Sequence, residues 1–244
     1  MQQIRILVNG AHGKMGQLTV NTLSKHADFN VVGETGRGYD LATAIKNSTP
    51  DVVIDFTSAE VVLENTKTII DCGARPVIGT SGLLAKNVAD LQELCVKKKL
   101  GGIIAPNFSV GAVLVMKHAQ EIAKYFPEVE IIEMHHRDKL DSPSGTAVRT
   151  AELLAQARTS IPNAPKLRET VAGARGANYQ NIPIHAVRLP GFVAHQQIIF
   201  GSMGETLTLR HDSIDRQAFM PGVILACKKV LELKSLVYGL ENIL

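Results

Sequence analysis

The sequence predicts an α/β protein in two parts: a doubly wound parallel sheet, then an α+β unit built on a mixed sheet. Three observations carry this. From Ile4 to Ala105, apolar runs of strand length alternate with amphipathic helical stretches. The first run, Ile4 to Val8, leads straight into Gly10-Ala11-His12-Gly13-Lys14-Met15-Gly16 and a helical stretch to about Lys25. From Val129 onward the alternation gives way to strands with few helices between them.

The opening strand, glycine loop and helix have the form of a Rossmann-type nucleotide site, in which glycines let the backbone approach a pyrophosphate that the helix N-terminus then holds. The spacing is G-x-x-G-x-x-G, one residue longer in its first step than the general dinucleotide fingerprint. A second strand, Asn30 to Gly33, ends at Glu34, where this fold places an acid for the adenosine ribose hydroxyls. A helix over Tyr39 to Lys46 leads to a continuous apolar strand, Asp51 to Phe56, of the kind buried on both faces. Then follow a helix (Val61 to Asp71), a strand (Pro76 to Ile78) closing in Gly79-Thr80-Ser81-Gly82, and a helix (Val88 to Lys98). A fifth strand (Gly102 to Ala105) closes in Pro106-Asn107-Phe108-Ser109. Five parallel strands with crossover helices are expected. Ligands in such sheets bind at the carboxyl ends of strands, where the loops at Gly10, Gly79 and Ala105 all fall. Taken singly, each loop is also ordinary turn chemistry.

In the second unit a helix is expected over Val110 to Tyr125, with strands over Val129 to Met134, Ile182 to Leu189, Val193 to Gly201 and Glu205 to His211. Leu189-Pro190-Gly191-Phe192 and Gly201-Ser202-Met203-Gly204 have hairpin turn chemistry. Arg158 to Gln180 reads as an extended loop, long enough to be a functional lid or a segment ordered by a partner subunit. A last helix is expected over Ala218 to Leu233.

Composition narrows the partners. Lysine and arginine number 26 against 23 acidic residues, and they are scattered, which gives nucleic acid no basic patch to follow. Lys97-Lys98-Lys99 reads as a solvated helix end favoured by the helix dipole. Cys72, Cys95 and Cys227 are odd in number and far apart in apolar helical contexts, so buried reduced thiols and a cytoplasmic location are expected. No apolar run reaches the roughly 18 residues of a membrane helix, and no signal-peptide pattern is visible.

The chemistry concentrates between Glu133 and Ala147, in Glu-Met-His135-His136-Arg-Asp-Lys139-Leu-Asp-Ser-Pro-Ser144-Gly145-Thr146-Ala. Two imidazoles and an ammonium share one short loop, directly before a helix start with free N–H groups and two hydroxyls. That is the geometry expected of an acid catalyst beside a carboxylate clamp. The bland readings are a polar strand cap and an ordinary capped helix start. A metal site at His135, His136, Asp138 and Asp141 is disfavoured, because adjacent histidines at a strand end point to opposite sides, and no metal is expected.

The stretch resembles the signature of the dihydrodipicolinate reductases, enzymes of bacterial lysine and diaminopimelate synthesis, whose pattern runs Glu-x-His-His-x-x-Lys-x-Asp-x-Pro-Ser-Gly-Thr-Ala. Every fixed position is filled here. The family also carries the G-x-x-G-x-M-G form of the first loop, so the resemblance extends over nearly the whole chain. It implies reduction of 4-hydroxy-tetrahydrodipicolinate to tetrahydrodipicolinate with NADH or NADPH. His135 would be the proton donor, Lys139 the cation that polarises the substrate, and His136 with Ser144, Gly145 and Thr146 the holders of its carboxylates. Gly10, Ala11, His12, Gly13, Lys14, Met15, Glu34, Gly79, Thr80, Ser81, Ala105, Pro106, Asn107 and Phe108 would serve the dinucleotide. The last helix would return to the first unit, giving a nucleotide domain of residues 1–106 and 216–244 and a substrate and tetramerisation domain of residues 107–215. A homotetramer is implied. Two rivals stand beside this reading: a non-catalytic NAD(H) sensor, which the intact His-His-x-x-Lys set disfavours, and a Schiff-base lyase using Lys139, which needs a dry pocket where the sequence has a charged loop.

Overall fold

Two compact units emerge from the computed structural model, which describes residues 3–162 and 168–244. The first comprises Met1–Val110 and Phe219–Leu244, the second Gly111–Ala218. The first unit opens with β1 (Ile4–Asn9), α1 (Lys14–Leu23), β2 (Phe29–Thr35), α2 (Leu41–Ser48) and β3 (Val52–Asp55). It continues with α3 (Val62–Asp71), β4 (Arg75–Ile78), α4 (Ala85–Lys98) and β5 (Gly102–Ile104). Local chemistry sets several boundaries. Asp40 caps α2 by accepting from the Ala42 and Thr43 amides, and Thr49 ends it in the left-handed region. Every residue of β3 is buried, as covering both faces with helices requires.

The parallel sheet has six strands, not the five expected, in the order β11-β5-β4-β3-β1-β2. The order reverses between β1 and β3, which is the switch point where this fold opens a crevice for ligands. Completing the sheet is β11 (Leu236–Tyr238), which pairs parallel with β5. The expected last helix is correspondingly shorter: α7 spans Met220–Lys229, preceded by a 3-10 turn at Arg216–Phe219. Three residues leave no periodicity to read, so β11 is defined by its neighbour.

The second unit contains α5 (Val110–Ile122), β6 (Glu128–His135), α6 (Gly145–Ala157), β7 (Ala177–Tyr179), β8 (Ile182–Arg188), β9 (Ala194–Ser202) and β10 (Glu205–Ser213). Its sheet runs β10-β9-β6-β8-β7. Only β6 and β8 pair in parallel, so the sheet is mixed. One face is covered by Ala119 and Ala123 at the end of α5 and by Ala147, Ala151 and Leu154 of α6, packed on Val129, Ile131, Ile184, Ile198 and Phe200.

Two expectations in this unit change. The turn at Leu189 to Phe192 is not a hairpin, because β6 lies between β8 and β9. The chain therefore crosses two strand spacings, roughly 10 Å, instead of folding back on itself. The turn at Ser202 to Gly204 does close a hairpin, with Ser202 opposite Glu205 and Gly204 in the left-handed region. The segment read as loop from Arg158 to Gln180 contains β7, an edge strand against β8; residues 163–167 of that segment lie outside the described residues. All three cysteines are free, but Cys72 is only half-buried. No helix among the described residues is long and apolar enough to cross a membrane.

Candidate active site

In the first unit the glycine loop follows β1. Gly10 adopts φ +83° and its missing Cβ would lie 2.3 Å from the Phe56 carbonyl, while a Cβ at Gly16 would lie 2.0 Å from the Gly10 carbonyl. The loop therefore folds tightly against the end of β3 and the start of α1, and no other residue fits at either place. Ala11 is buried, and its amide and that of Gly10 both donate to the Thr35 carbonyl at 2.9 Å. His12, Gly13 and Lys14 are exposed. Gly13 is the N-cap of α1, no side chain caps that helix, and its first turn carries no acid. An uncapped helix start with a side-chain-free residue in front of it fits a pyrophosphate.

Glu34 is exposed near the end of β2, while the next side chain, Thr35, turns inward, 2% exposed, and donates to the Asn9 amide oxygen at 3.0 Å. Arg37 is exposed in the turn beyond. The loops after β3 and β5 meet through an edge-on contact of Phe56 and Phe108, with ring centroids 5.7 Å apart. Gly79 lies against both rings. Phe108 and Ala105 are buried and shape the loop from within, whereas Ser81 and Pro106 face solvent. The Asn107 side chain accepts from the Ser109 amide at 2.8 Å.

Beneath these loops lies a carboxylate the sequence reading passed over. Asp55, the last residue of β3, is fully buried. One oxygen accepts from the Asn9 and Asn65 side-chain amides at 2.8 and 2.9 Å. The other accepts from the Thr57 amide, the Thr57 hydroxyl and the Thr80 hydroxyl at 3.1, 2.7 and 2.6 Å. The Thr80 hydroxyl also accepts from the Thr57 amide, so it is engaged within the protein.

In the second unit, strand alternation puts Glu133 and His135 on the helix-covered face of β6, and register places Arg188 of β8 beside His135. Glu133 is 0% exposed. Its carboxylate meets His135 Nδ1 at 2.5 Å, Arg188 through two N–H groups at 2.8 and 2.7 Å, and the Ser144 amide at 3.1 Å. Burial opposes its charge, but His135 and Arg188 outweigh burial and hold its carboxyl below the ordinary value. Arg188 also donates to the Asp141 carbonyl at 2.8 Å.

With Nδ1 taken, His135 has Nε2 left for a ligand, and its side chain is 13% exposed. Lys139 pairs with Asp141 at 2.7 Å and its amide closes a turn onto the His136 carbonyl. Burial opposes the Asp141 charge, yet the Lys139 ammonium and Arg188 keep its carboxyl low. Ser144 is the N-cap of α6: its hydroxyl oxygen accepts from the Ala147 amide at 3.2 Å, and its hydrogen remains available to an acceptor. Gly145 is exposed with nothing within 4 Å of where a Cβ would stand, so a ligand can approach the helix start. Thr146 is half-buried in the first turn. His135 and the start of α6 are thus tied together through Glu133 at the junction of β6 and α6, and Arg188 ties in the loop that bears Lys139; His136, half-buried just after β6, meets this loop through its carbonyl, which accepts from the Lys139 amide. Glu133 and Arg188 are additions. The spacing of two from His135, which puts both side chains on one face of a strand, could have found Glu133; nothing local points to Arg188, 55 residues away.

A Rossmann-type sheet with an open glycine loop, joined to a unit that gathers a histidine, a lysine and a helix N-terminus, defines an oxidoreductase that works with a nicotinamide dinucleotide. Comparison with known proteins narrows the class. Residues 4–108 match the family model for the dihydrodipicolinate reductase N-terminus and residues 111–244 that for its C-terminus. The 4-hydroxy-tetrahydrodipicolinate reductase of Legionella pneumophila (strain Lens) is 53% identical over 98% of this chain and 99% of its own. That of Coxiella burnetii (strain RSA 493 / Nine Mile phase I) is 53% identical over 99% of each. A solved dipicolinate-bound dihydrodipicolinate reductase from Paenisporosarcina sp. TG-14 superposes with a TM-score of 0.90 at 44% identity, covering 100% of both chains. The chain belongs to the dihydrodipicolinate reductase family.

Proposed function

We propose that the chain reduces 4-hydroxy-tetrahydrodipicolinate to tetrahydrodipicolinate with NADH or NADPH, in lysine and diaminopimelate synthesis. The observation that carries this reading is the convergence of His135, Lys139 and the open start of α6 on one junction. The substrate hydroxyl leaves with a hydrogen of the neighbouring carbon as one water, opening a carbon–carbon double bond; hydride then adds to one end of that bond and a proton to the other, so that the hydroxyl is replaced by hydrogen overall. When bound, the reduced nicotinamide supplies the hydride. Gly10 to Met15 would hold its pyrophosphate, Glu34 the adenosine ribose, and the 79–81 and 105–108 loops the remainder.

The rest falls to the second unit. His135, with Nδ1 held by Glu133, gives its Nε2 proton to the carbon beside the one that receives hydride; the N–H electron pair stays on the ring, which ends neutral. Lys139 leaves Asp141 to pair with the dicarboxylate, and His136, the Ser144 hydroxyl and the Gly145 and Thr146 region clamp a carboxylate at the helix N-terminus. The test follows absorbance of reduced nicotinamide with freshly made dihydrodipicolinate synthase product, with dipicolinate as competitor. Oxidation that dipicolinate suppresses is expected; no oxidation with either NADH or NADPH overturns the reading.

Assembly as a homotetramer is supported by the sheet face opposite α5 and α6. It carries Ile132, Val187 and Ile199, half-buried among Thr208 and Arg210, and among the described residues of this unit α5 and α6 both lie on the other face. Light scattering should give four times the 26.4 kDa chain mass; a monomer mass at micromolar concentration contradicts it. Three free thiols and a biosynthetic substrate support a cytoplasmic location.

A further inference from the structure

We infer that Glu133 is a positioning residue for this reaction: its buried carboxylate fixes which nitrogen of His135 faces the substrate, and ties the proton donor to the carboxylate clamp. The inference rests on the reading of His135 as proton donor given above. Three independent elements end on this one carboxylate: His135 from its own strand, Arg188 from β8, and the Ser144 amide from the start of α6. A fully buried carboxylate is a poor way to stabilise a sheet, since an apolar pair of similar volume does as well or better there. Its expense is explained if it holds something that must not turn. An imidazole free to rotate presents either nitrogen, and a histidine with Nδ1–H bound to a carboxylate presents only Nε2.

The same geometry settles how strongly the carboxylate acts. Arg188 occupies both oxygens of Glu133, keeping it ionised and sharing its charge with His135. Several groups of the described residues surround the His135 ring. They are Glu133 from β6, Arg188 from β8, the partial positive charge of the α6 start, and His136 with the Lys139–Asp141 pair from the loop. On β9 the neighbouring residues are the uncharged Ala194 and Gln196. A negative charge at Nδ1 favours the imidazolium, and the cation behind it tempers that preference, so the two residues should shift proton donation in opposite directions. Arg188 also reaches the Asp141 carbonyl, so the loop bearing Lys139 is anchored to the same centre.

Glu133→Gln keeps a hydrogen-bond acceptor of the same shape and removes the charge. It should lower kcat at least about tenfold, and at most by the roughly 10²–10⁴-fold that a general acid supplies, while KM for the nucleotide stays put. The fall of kcat with rising pH should begin at lower pH than in the parent enzyme. Arg188→Met should move the same limb to higher pH, and Glu133→Asp should restore part of the shift lost in Glu133→Gln. In the full chain labelled at histidine, the His135 ring resonance should titrate at lower pH in Glu133→Gln and at higher pH in Arg188→Met. An unchanged limb and an unchanged titration in these variants overturn the proposal and leave Glu133 as a packing acid. Should Glu133→Gln fail to fold, Arg188→Met and Glu133→Asp decide by the same two readouts. A parent enzyme that oxidises no cofactor sinks the functional reading, whereas the titration still reports on the Glu133–His135 pair.

Discussion

Each unit buries one carboxylate near the carboxyl end of a strand inside its sheet, and the two are held in opposite ways. Asp55 receives only neutral donors, two amides, two hydroxyls and a backbone N–H. Glu133 receives a guanidinium, an imidazole and a backbone N–H. The neutral set spans Asn9, Asp55, Thr57 and Thr80, and therefore clamps the ends of β1, β3 and β4 against each other. It makes a rigid frame around the nucleotide loops with no proton to move. The charged set holds His135, the group proposed above as the proton donor. On the proposed reading, the dipole-held Asp55 serves shape and the Glu133 centre serves proton transfer.

The largest effect expected from breaking this contrast is at Lys139. Lys139→Ala removes a charge felt by the dicarboxylate in both the ground and transition states, so kcat/KM should fall by roughly 10⁴-fold or more, with both constants affected. Equilibrium binding of NADH should be unchanged, because the loops assigned to the nucleotide belong to the other unit. Loss of nucleotide binding in this variant would break the division between the units.

Asp55→Asn probes the other side. It gives the buried frame an N–H where every neighbour already donates, which should cost about 1–3 kcal/mol. This should appear as a lower Tm and weaker NADH binding, with kcat at saturating cofactor little changed. A loss confined to kcat would assign Asp55 a part in the chemistry.

The pH dependence of stability sharpens the contrast further. Because the folded Glu133 carboxyl is held below its ordinary value of about 4.3, its stabilising effect is complete above that value and is lost as pH falls through the lower folded one. Thermal denaturation in acid should show this loss in the parent and less of it in Glu133→Gln. Smallest is Thr146→Val, which removes one hydroxyl from the clamp while leaving the helix N–H groups. It should raise KM for the dicarboxylate by about tenfold or less, with kcat held. For the cofactor, Glu34 faces solvent where the ribose would lie, Thr35 is committed to Asn9, and Arg37, exposed in the turn beyond, is the cation proposed to meet a 2′-phosphate. Use of both cofactors with NADH favoured is expected; a tenfold preference for NADPH, roughly 1.4 kcal/mol, would show that Arg37 prevails.

What was legible in the sequence followed from local period and local motif. The glycine loop, the first five parallel strands and the stretch from Glu133 to Ala147 are contiguous, and each carries its own signal. What was not legible depends on partners distant in sequence. Leu236 to Tyr238 becomes a strand because β5 offers it an edge. Leu189 to Phe192 has hairpin chemistry but spans β6, because strand order is decided by the whole sheet. Arg188 looks like any strand-end arginine until β6 and β8 come into register. Asp55 ends an apolar strand, and its role becomes visible only when Asn9, Asn65 and Thr80 close around it.

The central claim is that His135, oriented by Glu133, donates the proton. Its most direct test is steady-state turnover of His135→Ala, with binding of the dicarboxylate and of NADH measured separately. The account predicts a fall in kcat of roughly 10²–10⁴-fold with both affinities nearly unchanged. Near-normal turnover would contradict it, making His135 a strand cap and leaving the proton to come from Lys139 or water.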